Sequence, residues 1–390
     1  MRNKRMLPAL LLVLLLLFSL GACSQSDAGT DSSPPADTGD SAQTSSDEGT
    51  QEDQSADTGT VEFTDGAGRT VTIPTPENLE RIYADTTNSL VLLYILDTEL
   101  FTASPTVFTE DDLPYVAQSM LNLPTYGTLS GSNGALDYEA IKAADVQLIV
   151  TSFYGNALTE SDIQQADDLQ EQLGIPVITF GTQMEALEQS FTLLGQALGR
   201  EERAQKVIDY FNAIVEKVTG VVAGIPEEER LTVYYAEGNE GLATEPGNSN
   251  RSIVFNMCGL TNVATVEALE GFGQSSVSME AVLSWDPEVI VVQNGTGAYE
   301  IITTSEDWAS VTAVQEGRVY EMPSDPFGWA DRPAGPNRYI GLLWLADLLY
   351  PEEMDIDFTE TVIDYYKVIY QVDITAEDVD ALLVNAMGSK

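Results

Sequence analysis

Glu139-Ala140-Ile141-Lys142-Ala143-Ala144-Asp145-Val146-Gln147-Leu148-Ile149-Val150 returns later in the chain as Glu280-Ala281-Val282-Leu283-Ser284-Trp285-Asp286-Pro287-Glu288-Val289-Ile290-Val291. In each copy a helical pattern gives way to an aspartate and then to an apolar run, the order of helix, turn and buried strand. The separation is a constant 141 residues (139 to 280). That is far beyond a solenoid period, so two similar lobes fit better than a stacked array. Unrelated helix–turn–strand units share this pattern, and a second feature is needed to choose. It lies between the copies. Glu201 to Thr219 runs without Pro or Gly, with Ala204, Val207, Ile208, Phe211, Ile214, Val215 and Val218 at helical spacing. A helix of that length spans about 28 Å, enough to bridge two small lobes. Gly199 should end the helix before it and Gly220 should end this one.

Outward from these segments the same alternation continues. Glu62 to Ile73 reads as a hairpin, with Asp65-Gly66 supplying the turn. Arg81 to Ala84, Val146 to Thr151, Ile175 to Phe180, Leu231 to Ala236, Val289 to Gln293 and Arg318 to Glu321 read as strands. Asn88 to Leu96 and Ser161 to Leu173 read as helices. Strands alternating with helices place the chain in the α/β class with largely parallel sheets.

The N-terminus carries an address. Arg2, Lys4 and Arg5 precede an apolar run from Leu7 to Leu20 and then Gly21-Ala22-Cys23, a secretory signal too short for a comfortable membrane span. Leu20-Gly21-Ala22-Cys23 resembles the bacterial lipobox, which implies that Cys23 is lipidated and becomes the new N-terminus. From Ser24 to Thr60 the chain is nearly all Ser, Thr, Asp, Glu, Gln, Gly and Ala, with no aromatic, Lys or Arg. Such a segment cannot bury enough apolar surface to offset its ordering entropy, and it is expected to be a disordered tether. The expected organisation is signal peptide 1–22, acidic linker 23–60, N-terminal lobe 61–182, helical connector 183–222, and C-terminal lobe with terminal helices 223–390.

Composition removes much chemistry. Among 390 residues there are 62 acidic and 17 basic side chains and no histidine, for a net charge of −45. Without histidine no Ser-His-Asp or Cys-His mechanism and no His-ligated metal site is available. The charge argues against a nucleic-acid partner, which needs clustered Lys and Arg. With so many carboxylates, some pairs fall near one another by chance, so their spacing says almost nothing about glycosidase chemistry. Besides Cys23 the sole cysteine is Cys258, in the apolar run Ile253 to Cys258; it reads as a small buried hydrophobe rather than a nucleophile. There is no Gly-rich phosphate loop, EF-hand register or Cys cluster.

At this point the chain resembles a family: the helical-backbone substrate-binding lipoproteins of ABC importers, the branch that takes iron–siderophore, cobalamin and haem and includes molybdate- and tungstate-binding members. The resemblance covers roughly Val61 to Pro351. It rests on Asp65 to Pro74, on Ser278 to Val292, on Trp308 with Ala313-Val314 and Arg318-Val319-Tyr320, and above all on Pro326-Phe327-Gly328-Trp329-Ala330-Asp331-Arg332-Pro333 followed by Asn337-Arg338 and Gly341 to Pro351. It implies two Rossmann-like α/β lobes joined by one long helix, with a ligand cleft between them. Relatives often carry a His in the segment that reads here Gly247-Asn248-Ser249-Asn250-Arg251-Ser252. Arg251 stands in its place, so no metal ligand is assigned.

Ligands in such sheets lie beyond the carboxyl ends of the strands. The candidate residues are Asp85, Thr86, Thr87, Asn88, Phe153 and Tyr154 in the first lobe, and Glu237, Asn239, Asn248, Ser249, Arg251, Phe272, Gln274, Asn294, Trp329 and Arg332 in the second. Any one of these loops alone reads equally well as an ordinary turn or cap. The arginines stand out because bases are scarce. Arg251 is the only Lys or Arg between Arg230 and Arg318, and guanidinium donors suit oxyanions or the peripheral oxygens of a chelate. An ion pair with a nearby carboxylate is the other reading of Arg251 and of Arg332. Arg338 is expected to support the helix that begins near Pro336. Trp329, Tyr154 and Phe272 are the candidates to stack on a planar chelate.

The expectation is therefore a non-enzymatic, lipid-anchored, extracytoplasmic receptor. It captures a metal chelate (iron complex, haem or corrinoid) without a cofactor of its own and delivers it to a membrane permease and its ATPase. Within the same fold the alternative cargo is a molybdate or tungstate oxyanion. From another class the alternative is a secreted two-carboxylate carbohydrate-active enzyme.

Overall fold

The computed structural model describes residues 59–129, 134–153, 158–267 and 274–388. The signal sequence, Cys23 and nearly all of the acidic linker fall outside that set, as do Tyr154 and Phe272.

Strands β1 (Thr60–Thr64) and β2 (Thr70–Pro74) form the antiparallel hairpin, with Thr64 opposite Thr70. Its loop is longer than a two-residue Asp-Gly turn. The Asp65 carboxylate accepts the Ala67 and Arg69 amides and pairs with the Arg69 guanidinium. Gly66 has its own reason: a Cβ there would stand 2.9 Å from the Thr179 carbonyl, to which the Gly66 amide donates. Only glycine lets the hairpin lie so close to the sheet.

The first lobe is built on β3 (Ile82–Ala84), β4 (Phe101–Ala103), β5 (Leu148–Phe153) and β6 (Val177–Gly181), all parallel in the order β4-β3-β5-β6. The second repeats the plan with β7 (Thr232–Ala236), β9 (Thr261–Asn262), β11 (Val289–Val292) and β12 (Val319–Glu321), parallel in the order β9-β7-β11-β12. Between them in sequence, β8 (Ala243–Thr244) and β10 (Ser275–Ser276) make a small antiparallel pair. The echoed segments occupy matching places, since β5 and β11 each lie beside the first strand of their lobe. Asp145 and Asp286, at equal positions in the echo, both take left-handed backbone angles, φ 51° and 44°. Aspartate tolerates that conformation better than most residues, and it turns each helix sharply into its strand.

Helices α1 (Thr87–Leu96), α2 (Tyr138–Ala143), α3 (Glu160–Leu173) and α4 (Met184–Leu198) belong to the first half, and α5 (Glu201–Gly224) is the connector. Gly199 ends α4 in the left-handed conformation, as expected. Gly220 does not end α5, which runs four residues further. Its Cβ position meets nothing within 4 Å, so it lies on the open face, while Val218 and Val222 are buried on the other. A mid-helix glycine costs about 1 kcal/mol, less than the roughly 1.5–3 kcal/mol gained by burying Val222.

The parallel strands β3, β5, β6, β7 and β11 are buried on both faces over most of their length, which explains their unbroken apolar runs. Ile82, Leu148, Val150, Ile178, Val233, Tyr235, Val289 and Val291 join one core that passes through α4, α5 and the helix Arg338–Leu349. Tyr83, Ile149 and Val177 face a second cluster, and Tyr234, Ile290 and Val292 a third. The lobes thus share their central core and keep separate outer ones. The C-terminal segment adds a further tie. Tyr94 on α1 donates its hydroxyl to the Tyr370 carbonyl and accepts the Ala117 amide. Arg203 on α5 donates to the Ile95, Val368 and Ile369 carbonyls, and Tyr115 to that of Asp378. At the other lobe Trp344 donates to the Ala386 carbonyl and Asn385 to Glu321. Cys258 is a free thiol with no exposed surface, and burial raises its pKa, so it is inert. No helix among the described residues is long and apolar enough to cross a membrane.

Candidate functional site

The carboxyl ends of β3 and β5 bring the first-lobe candidates together. Asp85 leaves β3 and is fully buried. Thr86 caps α1, accepting the Ser89 amide in a reciprocal capping box, and its hydroxyl contacts that of Ser152 at 2.9 Å. Thr87 lies 3.5 Å from the Thr106 hydroxyl. Phe153 ends β5 half-buried. Asn88 reaches across to the second-lobe segment, donating Nδ2 to the Ala334 carbonyl at 2.7 Å.

The second-lobe candidates form a buried ion network. Arg251 Nε lies 3.1 Å from Glu245 Oε1, and its Nη1 3.1 Å from Asp331 Oδ2. Arg332 Nη2 lies 2.6 Å from Glu237 Oε1 and its Nε 3.6 Å from Asp331 Oδ2. Arg338, fully buried, places Nη2 3.6 Å from Asp331 Oδ1 and donates Nη1 to Gln183 Oε1 at 3.2 Å, back in the first lobe. Glu245 is held further by the Ser249 hydroxyl and by the Gln274 amide, which the β8–β10 pairing sets above it. Three guanidinium groups and three carboxylates therefore converge where the loops of the two lobes meet.

Within that network Arg332 differs from the rest. Its side chain keeps 24% of its surface exposed, against 5% for Arg251 and none for Arg338. Its backbone is held at φ 48°, a left-handed conformation that costs a non-glycine residue about 1 kcal/mol and that persists only when the surroundings enforce it. Burial alone would lower its pKa, but Asp331, Tyr235 and Glu237 more than offset that and hold the guanidinium charged. Burial pushes Glu237 up to about 7 against the pull of Arg332, and lifts Asp85 to about 7 although Thr151, its own amide and Ser89 draw it down.

Two expectations change. Arg251 is an ion-paired residue behind the surface rather than a foremost donor, because its guanidinium is buried as well as claimed by Glu245 and Asp331, whereas the equally paired Arg332 is partly exposed. Trp329 is sealed in the core, edge-on to Trp344 and Phe358 with its indole N–H toward the Tyr366 hydroxyl. It presents no face to a chelate. Asn239, Asn248 and Asn294 are exposed loop residues. Glu245, Asp331, Arg338 and Gln183 were not among the candidates. Asp331 and Arg338 lay inside the motif that carried the resemblance, but among 62 acids nothing in the sequence distinguishes Glu245.

Residues 83–326 match the family model described as periplasmic binding protein. An ABC transporter solute binding protein from Sulfurospirillum deleyianum has a structure that aligns over 83% of this chain and 99% of its own, at 29% identity and a TM-score of 0.73. The molybdate-binding protein MolA of Haemophilus influenzae is 27% identical over 189 residues, 48% of this chain and 52% of its own, so the chain spans about half the length of that curated relative. The molybdate-bound MolA structure shares the fold, at 22% identity and a TM-score of 0.65 over 81% of this chain and 99% of its own. So does a periplasmic heme binding protein from Pseudomonas aeruginosa, at 21% identity and 0.52 over 70% of this chain and 93% of its own. With the family model covering more than half its length, and with two parallel α/β lobes joined by one long helix, the chain belongs to the periplasmic binding proteins, a family of binding proteins rather than enzymes.

Proposed function

We propose that the chain is the extracytoplasmic receptor of an ABC importer, tethered to the bacterial cell membrane through lipidated Cys23, and that its cargo is a small tetrahedral oxyanion of the molybdate or tungstate kind. The observation that carries the cargo is Arg332, whose partly exposed guanidinium stands at the meeting of the lobes on a backbone held in the left-handed region, backed by two further buried arginines. A rigid fork of N–H donors fits an oxyanion. The likeness to molybdate-binding MolA points the same way. Of the three candidates to stack on a metal chelate, Trp329 offers no face, and Tyr154 and Phe272 lie outside the described residues. Asn88, bonded to Ala334, and Arg338, bonded to Gln183, already connect the walls. Capture therefore proceeds with small lobe motion before delivery to the permease and its ATPase.

Thermal unfolding of the chain from Cys23 onward, with molybdate, tungstate, ferric siderophores, haem and cobalamin, tests the reading. A cargo at about 100 times its Kd stabilises the native state by about 2.7 kcal/mol. A shift with molybdate or tungstate alone is expected. A shift with one chelate and neither oxyanion would restore the chelate cargo.

A further inference from the structure

The first strands of the two lobes end alike. Tyr83-Ala84-Asp85 closes β3 and Tyr235-Ala236-Glu237 closes β7, and these strands hold equivalent positions in their sheets. Each ends in a carboxylic acid with no exposed surface, at the edge where the strand gives way to a cleft loop. Among the described residues, neither oxygen of Asp85 nor Oε2 of Glu237 meets a partner at hydrogen-bond geometry; Thr151, the Asp85 amide and Ser89 lie near enough to Asp85 only to moderate its burial. Ionised carboxylates in that condition are costly, and a proton relieves the cost. The groups facing Asp85 are Tyr83 on its own strand, Thr151 on β5 and Ser89 on α1, none of them cationic. Those facing Glu237 are Arg332, Asp331 and Glu245, with Tyr234 and Tyr235 on its own strand.

Charge supplies the second argument. With every group ionised, Arg251, Arg332 and Arg338 are cancelled by Glu237, Glu245 and Asp331. An entering anion then meets no net positive charge in this cluster, and Asp85 adds a negative one beside the N-terminus of α1, where the helix would otherwise favour an anion. Protons are what can tip the balance.

We propose that Asp85 and Glu237 are a matched pair of proton-accepting acids, one in each wall of the cleft, and that capture of an oxyanion takes up protons onto them from water. This rests on the oxyanion reading. Arg332 transfers its hydrogen bond from Glu237 Oε1 to the entering anion, and the released carboxylate takes a proton from the solvent. Asp85 takes up its proton likewise, so the end of α1 faces the anion without a neighbouring negative charge. No covalent bond to the cargo forms or breaks. Burial, which sets both acids near about 7, places the uptake in the neutral range.

Titration calorimetry with sodium molybdate, in two buffers of unlike ionisation enthalpy, reads the uptake directly on the chain from Cys23 onward. Near about pH 7 each acid is half protonated before binding, so about one proton should enter per anion, and affinity should fall about tenfold per acid from about pH 6 to 8. Asp85→Asn and Glu237→Gln should each remove one acid's share of that slope, whatever they do to the affinity itself. Equal heats in the two buffers with a flat pH profile in the native protein overturn the proposal and leave the oxyanion cargo standing. No binding of molybdate or tungstate at any of these pH values overturns the cargo and the proposal together. Should Glu237→Gln fail to fold, the two-buffer comparison on the native protein decides alone.

Discussion

Asp331→Asn tests whether the ion network holds the lobes. The carboxylate has no exposed surface and faces Arg251 at 3.1 Å and Arg332 and Arg338 at 3.6 Å each. Asparagine keeps the shape but removes the charge, so three guanidinium groups remain against Glu237 and Glu245. Removing one partner of a buried ion pair costs about 3–5 kcal/mol. Two of the three contacts are long, which places the loss near the lower end, about 3 kcal/mol. At roughly 2 °C per kcal/mol for a body of this size, Tm should fall by about 6 °C. Scanning calorimetry near neutral pH measures it. The variant also carries one surplus positive charge, so saturating molybdate should stabilise it more than it stabilises the native protein and narrow the gap. Adding Arg251→Met to Asp331→Asn restores the balance of two arginines and two acids and should recover part of the loss. A single variant that melts within about 1 °C of the native protein would refute the reasoning.

Asp85→Asn has a signed pH dependence. The folded protein holds the Asp85 proton up to about 7, against an ordinary 3.8. The stability linked to that proton is therefore full below about pH 4 and lost as pH rises through about 7. The variant escapes the loss, so its stability relative to the native protein should rise by about 3 kcal/mol between about pH 5 and 8.5; urea melts giving the same difference at both values would contradict this. Gly341→Ala should cost upwards of about 3 kcal/mol or prevent folding, because a Cβ there would fall on the Trp329 carbonyl, backbone that cannot step aside. Soluble yield and Tm report it, and a variant as stable as the native chain would show that the Trp329 loop yields.

The two-lobe plan was legible because parallel strands buried on both faces leave continuous apolar runs, and because β5 and β11 keep the same helix–aspartate–strand phrase. Strands β4, β8, β9 and β10, two or three residues long, carry too little pattern to register. Gly220 misled because composition marks a glycine but not the face of the helix it occupies. At the candidate site the arginines stand out in the sequence by their rarity, and the structure brings Arg251 and Arg332 into one ion network. Their depth was not visible, since ion pairing that sinks Arg251 depends on Glu245 and on Asp331, eighty positions away. Trp329 and Arg332 share one loop, and a loop has no periodicity to say which side chain turns inward. The acids that complete the site are hidden by the abundance of acids elsewhere.

Tyr94 finds its carbonyl partner in Tyr370, 276 positions later, and Tyr115 finds its own in Asp378. Arg203 on the connector likewise depends on Val368 and Ile369. A growing polypeptide that has not yet made this stretch leaves those groups to water and lacks the contacts that clasp the first half to the second. The loop to be closed is nearly the whole molecule, and its entropy is recovered only at the end. Completion of the native state is thus tied to the stretch from Val368 to Asp378. Until those residues are in place, the first half lacks the clasp that ties it to the second.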